Sequence, residues 1–255
     1  MTETTQPWHP SHKTALITGA GQGVGRAIAL ALVQRGIGSI AVNDFQADRA
    51  IAVAEEIKAA GVNALAVPGD VGDYAAMAAA IRQVEEHCGP IGILVNNAGN
   101  AGPEAAMGRP PLFWETAPGD WEKFFHTNLN GVLNCCHLTL PGMIRQNGGR
   151  IITITSDAGR VGEARLSVYS AAKAGTAGFM RSLAKETGRY NITCNCISLS
   201  MLEPNLPEPE KSRFLAGDQA RALLSRYSIR RFGRPEDAWI TGQVYPVNGG
   251  YDAAR

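Results

Sequence analysis

The sequence predicts an α/β fold of the doubly wound kind: a mostly parallel, seven-stranded sheet with helices on both faces. Two observations point there. Short apolar runs alternate with longer amphipathic ones along most of the 255 residues. That order gives parallel strands joined by right-handed helical crossovers. The short runs are also apolar nearly throughout, as in strands covered on both faces.

The elements follow in order. Residues 14–18 read as a strand and 25–35 as a helix ended by Gly36. A strand over 39–43 is followed by a helix over 47–60, stopped by Gly61. Next come a strand over 64–67, a helix over 74–87 and a strand over 91–95. A long helix covers 121–145, a strand 150–155, a helix 168–187 and a strand 192–197. The seventh strand is expected at 243–247. Residues 1–12, polar and carrying Pro7 and Pro10, read as a loose tail. A single domain then runs over 13–250 with a short C-terminal tail at 251–255. Within it, a substrate loop is expected at about 199–232. Its turn-formers and charges are densest from Glu203 to Glu210.

Composition excludes several functions. Lys plus Arg is 24 and Asp plus Glu is 23, so the net charge is +1. That balance gives no electrostatic case for nucleic acid or an anionic membrane as partner. The first residues lack the apolar core of a signal peptide, and nowhere do 18 apolar residues run together. Five cysteines with no paired spacing suit a reducing cytoplasm. Cys194 and Cys196 share a strand face but lack further ligands at metal spacing, so no metal is expected. With Cys135 and Cys136 they read as small core hydrophobes. His126 and His137 read as helix-surface or core residues. Phe113, Trp114 and Met201 are candidates for a pocket wall, though core is the plainer role. Arg160 and Arg165 could meet an anionic substrate, but solvated loop charges are the plainer reading.

The turn after the first strand is Thr18-Gly19-Ala20-Gly21-Gln22-Gly23-Val24-Gly25. Glycines let backbone approach a phosphate, and the helix N-terminus that follows attracts its charge. Placed between a strand and a helix at the head of an α/β array, the turn indicates a Rossmann-type dinucleotide site. Asp44 ends the second strand, 25 residues after Gly19. A carboxylate there accepts hydrogen bonds from the adenosine ribose and repels a 2′-phosphate, favouring NAD over NADP. Gln22 is not basic, and no Arg immediately follows Asp44. Capping the next helix is the alternative role for Asp44.

These motifs, with Asp70-Val71, Asn96-Asn97-Ala98-Gly99, Asn128, Ser156 and Tyr169-Ser-Ala-Ala-Lys173, resemble the short-chain dehydrogenase/reductase family. The resemblance covers nearly the whole chain. It implies that Asp70 and Val71 meet the adenine and that Asn97 and Gly99 line the cofactor groove. It also implies that Lys173 holds the nicotinamide ribose, and that Asn128 holds a water linking Lys173 to solvent. Tyr169 and Lys173 are four apart on a helix and share a face. A nearby ammonium is expected to lower the phenol pKa, letting Tyr169 act as acid or base. Ser156, just past a strand end, would orient the substrate oxygen.

Two segments depart from the family pattern. Leu199-Ser200 stands where Pro-Gly is usual and Pro204 where a Thr is usual, leaving the Leu202 N–H for the carboxamide. After Asp237 the sequence is about one helix shorter than the family pattern, so residues 211–227 must serve as lid or as crossover. The expectation is a cytoplasmic, homo-oligomeric (dimeric or tetrameric) NAD-dependent oxidoreductase. It would interconvert a secondary alcohol and a ketone, on an alicyclic or 3-hydroxyacyl-type substrate. An NADPH-dependent 3-oxoacyl carrier-protein reductase is the alternative, opposed by Asp44. A non-catalytic dinucleotide-binding protein is the other, opposed by the intact Ser156, Tyr169 and Lys173.

Overall fold

The protein is described from a computed structural model covering residues 9–102, 110–203 and 207–236. Six strands form one parallel sheet in the order β3-β2-β1-β4-β5-β6. They are β1 Thr14–Ile17, β2 Ser39–Val42, β3 Asn63–Ala66, β4 Ile91–Asn96, β5 Gly149–Ser156 and β6 Ile192–Leu199. The first three helices are α1 Gly23–Gln34, α2 Ala47–Ala59 and α3 Tyr74–Cys88. These boundaries depart from the sequence-based ones by a residue or two at most.

Every residue of β1 and β4 is buried, which is why those strands do not alternate. One face of the sheet packs Ala29, Ala50, Val53 and Ile57 of α1 and α2 against Ile17, Ile40 and Val95. The other packs Met77, Ile81 and Val84 of α3 against Leu16, Leu94 and Ile151. Two later helices complete that second layer. Helix α4 is built of α-helical Glu122–Phe125, π-helical His126–Asn130 and α-helical Gly131–Arg145. A short α5 covers Asp157–Val161, and α6 covers Ser167–Thr187. The strand order reverses between β1 and β4, which opens a crevice at their carboxyl ends.

Three expectations change. The tail is held at its C-terminal end: Pro10–His12 form a 3-10 turn, and the Pro10 carbonyl accepts from Lys13 N and Gly38 N. The long helix is not uniformly α-helical, because its π segment brings Asn128 inward. Residues 211–227 are not one helix but two, α7 Glu210–Ala216 and α8 Asp218–Leu224. Gly217, extended at ψ 162°, separates them. This segment closes on itself through a Leu202–Gly233 bridge and a Phe214–Phe232 ring contact at 6.0 Å. The seventh strand, Pro204, the shortened region after Asp237 and the C-terminal tail lie outside the described residues.

Candidate active site

The glycine turn is built for close backbone approach. Gly19 has φ +60°, and a side chain there would meet Ala98 Cα at 2.8 Å. A side chain on Gly25 would strike the Gly19 carbonyl. Asn97 Nδ2 donates to the carbonyls of Thr18 and Gly19, both at 3.0 Å, tying the β4 loop to this turn. Gly23, at φ +52°, faces open space, and α1 starts there, after Gln22 and before Val24, with no side-chain cap. An open helix N-terminus above a glycine cradle fits a dinucleotide pyrophosphate.

Asp44 is buried beside the turn. Its Oδ2 accepts from Gly21 N and its Oδ1 from Gln46 N, both at 3.0 Å. The local bond to Gln46 and the position facing the turn therefore coexist, and each oxygen keeps a lone pair. The fold also brings in Arg49, whose Cβ lies 2.5 Å from where a Gly21 side chain would begin. Helical side chains lean toward the N-terminus, so Arg49 leans toward the cofactor edge of the sheet. Only the tertiary fold puts that cation near the acid at the end of β2.

Asp70 accepts from Gly72 N at 2.9 Å and pairs with His126 Nε2 at 3.1 Å. A side chain on Gly72 would enter the His126 ring. His126, set aside from sequence, thus braces the Asp70 turn. Val71 is buried against Gly131, and its carbonyl accepts from Asn134 Nδ2 at 3.0 Å.

The four residues expected at the chemistry come together. Gly99 leaves just enough room: a side chain there would lie 3.3 Å from Asn128 Oδ1 and 3.4 Å from Lys173 Nζ. Asn128 is fully buried; its Nδ2 donates to Asn100 O and Phe124 O, and its Oδ1 accepts from Asn100 N. These bonds pin the β4 loop to α4 and leave one lone pair on Oδ1. Ser156 Oγ accepts from Ala158 N at 3.2 Å, capping α5.

Lys173 is 5% exposed, with Nζ donating to Ile154 O at 3.0 Å and lying 5.9 Å from the Tyr169 ring centroid. Burial pulls its pKa down to about 8. The expected lowering of the tyrosine pKa does not hold. Burial pushes Tyr169 up, and the neighbouring Ser156 hydroxyl only opposes that rise. The Lys173 ammonium is directed at the Ile154 carbonyl.

Leu202 sits in the bridge, which is closed by Glu203 N to Gly233 O and Gly233 N to Met201 O. Its own N–H takes part in neither bond. Ser200, standing in the altered segment, bonds the Tyr227 hydroxyl at 2.8 Å.

Beside Tyr169 lies a cavity of about 170 Å³ whose walls include Ala101, Phe113, Trp121, Phe124 and Arg165. Trp114, by contrast, is 77% exposed. Arg160 pairs with Asp157, and His137 bonds Tyr74. The thiols are free: burial pushes Cys136 up to about 12, and Cys135 and Cys194 are buried as expected, whereas Cys196 is exposed rather than in the core. Among the described residues no group of His, Cys, Asp and Glu can hold a metal. None of the described helices is long and apolar enough to cross a membrane.

A glycine cradle at the switch point, with a tyrosine over a buried lysine beside it, defines a nicotinamide-dependent oxidoreductase of hydroxyl and keto groups. The chain belongs to the short chain dehydrogenase family, whose model matches residues 13–213. It is 34% identical over 252 residues to the 3-oxoacyl-[acyl-carrier-protein] reductase FabG of Staphylococcus aureus, covering 93% of this chain and 97% of that one. Identity to the same enzyme of Pseudomonas aeruginosa is 35%, covering 93% and 96%. The fold superposes on a gluconate 5-dehydrogenase from Burkholderia cenocepacia in complex with NADP and tartrate. There the TM-score is 0.78 and identity 29%, over 89% of this chain and 85% of that one. A 7α-hydroxysteroid dehydrogenase complexed with NADH and 7-oxo glycochenodeoxycholic acid gives a TM-score of 0.77 and 30% identity, over 89% and 84%.

Proposed function

We propose that this protein is an NAD-preferring dehydrogenase that interconverts a secondary alcohol and a ketone, with Tyr169 as acid and base. The observation that carries this is Lys173. An ammonium that is 5% exposed, donating to the Ile154 carbonyl and with no carboxylate partner among the described residues, is costly to keep in a core. A non-catalytic cofactor-binding protein has no use for that cost. When bound, the nicotinamide supplies or accepts the hydride. In reduction Tyr169 donates its phenolic proton to the carbonyl oxygen and is reprotonated from solvent; in oxidation it first gives that proton up to solvent, and the phenolate then takes the alcohol proton. Ser156 orients that oxygen, Lys173 would hold the nicotinamide ribose, and Asn128 would hold a water that links Lys173 to solvent. The near-neutral charge favours a small-molecule substrate over nucleic acid or membrane, in a cytoplasmic homo-oligomer.

Asp44 supports NAD, since a 2′-phosphate would lie against its carboxylate. A second reading, NADPH-dependent reduction of a 3-oxoacyl group as in the FabG relatives, is favoured by Arg49. That residue has no ion pair or hydrogen bond among the described residues. Parallel fluorescence titrations with NADH and NADPH decide between them. Tighter NADH binding is the expected result; tighter NADPH binding would transfer the proposal to the reductase reading.

A further inference from the structure

The cavity beside Tyr169 is asymmetric. One side is an aromatic wall, where Phe113 and Trp121 stack at 5.3 Å between centroids and 23° between planes. The other side is positive. Arg165 turns into the cavity and donates to the Pro110 carbonyl, which uses one of its five N–H groups. It has no carboxylate partner among the described residues. Lys123 also lines the cavity, over the Phe124 ring at 5.2 Å, and is likewise unpaired among them. The lining carboxylate, Asp120, accepts from Ala117 N at 2.9 Å and keeps its charge, so the two cations outnumber it by one.

Two backbone features add to this. Arg165 has φ +70°, a left-handed conformation that L side chains rarely adopt. Strain of this kind collects at ligand sites. Next to it, the 21-residue α6 opens onto the cavity through Ser167, Val168 and Tyr169, and its N-cap Leu166 provides no side-chain bond. The first amides of that helix therefore also point positive charge at the same place. Of the two roles open to Arg165 from sequence, anion contact or solvated loop charge, its half-burial and place in the cavity wall favour the first.

We infer that the substrate is a ketone or alcohol on a single apolar ring that carries a carboxylate, with the ring against Trp121 and the carboxylate at Arg165. The size fits: about 170 Å³ is below the roughly 300–1,000 Å³ of drug-sized sites. A single ring is accommodated by that volume. This inference rests on Tyr169 being the acid and base of the reaction, because the carbonyl must lie at the tyrosine end.

After NADH binding is confirmed, the test uses the full-length protein saturated with oxidised NAD, which cannot reduce a ketone, titrated with 4-oxocyclohexanecarboxylate and, separately, its methyl ester, by calorimetry and tryptophan fluorescence. The acid is expected to bind at least ten-fold more tightly than the ester. Arg165→Gly, which suits φ +70° and so preserves the backbone, should bring the acid to the level of the ester and leave the ester within two-fold. Arg165→Lys should retain part of the preference. Equal binding of acid and ester, no binding of either, or an equal loss of both in Arg165→Gly would overturn the inference while NADH still binds. Failure to bind NADH would instead sink the dinucleotide reading, and this inference with it.

Discussion

Lys173 concentrates the chemistry at the scale of single residues. Its pKa is lowered from 10.5 to about 8, so the folded protein holds that proton less well than the unfolded chain. Stability therefore rises as pH climbs from about 8 toward 10.5, and the charged form at neutral pH costs of the order of a few kcal/mol. Lys173→Met, apolar and of similar reach, should raise the melting temperature or leave it unchanged while abolishing turnover. A clear drop in melting temperature would show that Lys173 is a structural bond to Ile154 and not a functional charge. The candidate site was largely legible in sequence, because Gly19, Asp44, Asn128, Ser156, Tyr169 and Lys173 recur at characteristic separations. Arg49 and His126 were not, since each acquires its role from a neighbour that only folding supplies. The tyrosine pKa was misjudged for a related reason: spacing shows that an ammonium is near but says nothing about burial.

Among the elements, α4 and the segment after β6 differ most from what periodicity suggests. The π segment changes the register of α4, and the Phe124 carbonyl then accepts from the Asn128 side chain. A hydrophobic repeat at helical spacing hides such a local change. The segment after β6 closes on Glu203, which pairs with Lys211 at 2.8 Å and Arg234 at 3.0 Å. Those two cations hold its carboxyl below the usual carboxylate range. A depressed carboxylate stabilises above its unfolded pKa and loses that contribution as pH falls through the folded one. Glu203→Gln should therefore speed amide hydrogen exchange in α7 and α8 at neutral pH, with little difference from the wild type in strong acid. Unchanged exchange at neutral pH would mean that the Leu202–Gly233 bridge and the Phe214–Phe232 contact hold this segment without the ion pairs.

Across the whole molecule, the β-then-α alternation was sufficient to predict the six described strands and their parallel sense, because buried strands and amphipathic helices leave different sequence patterns. The order β3-β2-β1-β4-β5-β6 then places the turns after β1, β4 and β5 on one edge of the sheet. This is how residues as distant as Gly19, Gly99 and Ser156 come to flank one crevice. Family membership rests on that arrangement as much as on any one motif. The most direct test of the account replaces Tyr169 by Phe and measures NAD-linked oxidation of cyclohexanol, with NADH affinity as the control for folding. Turnover should fall by about 10²–10⁴-fold with NADH affinity within two-fold. Undiminished turnover in Tyr169→Phe would contradict it.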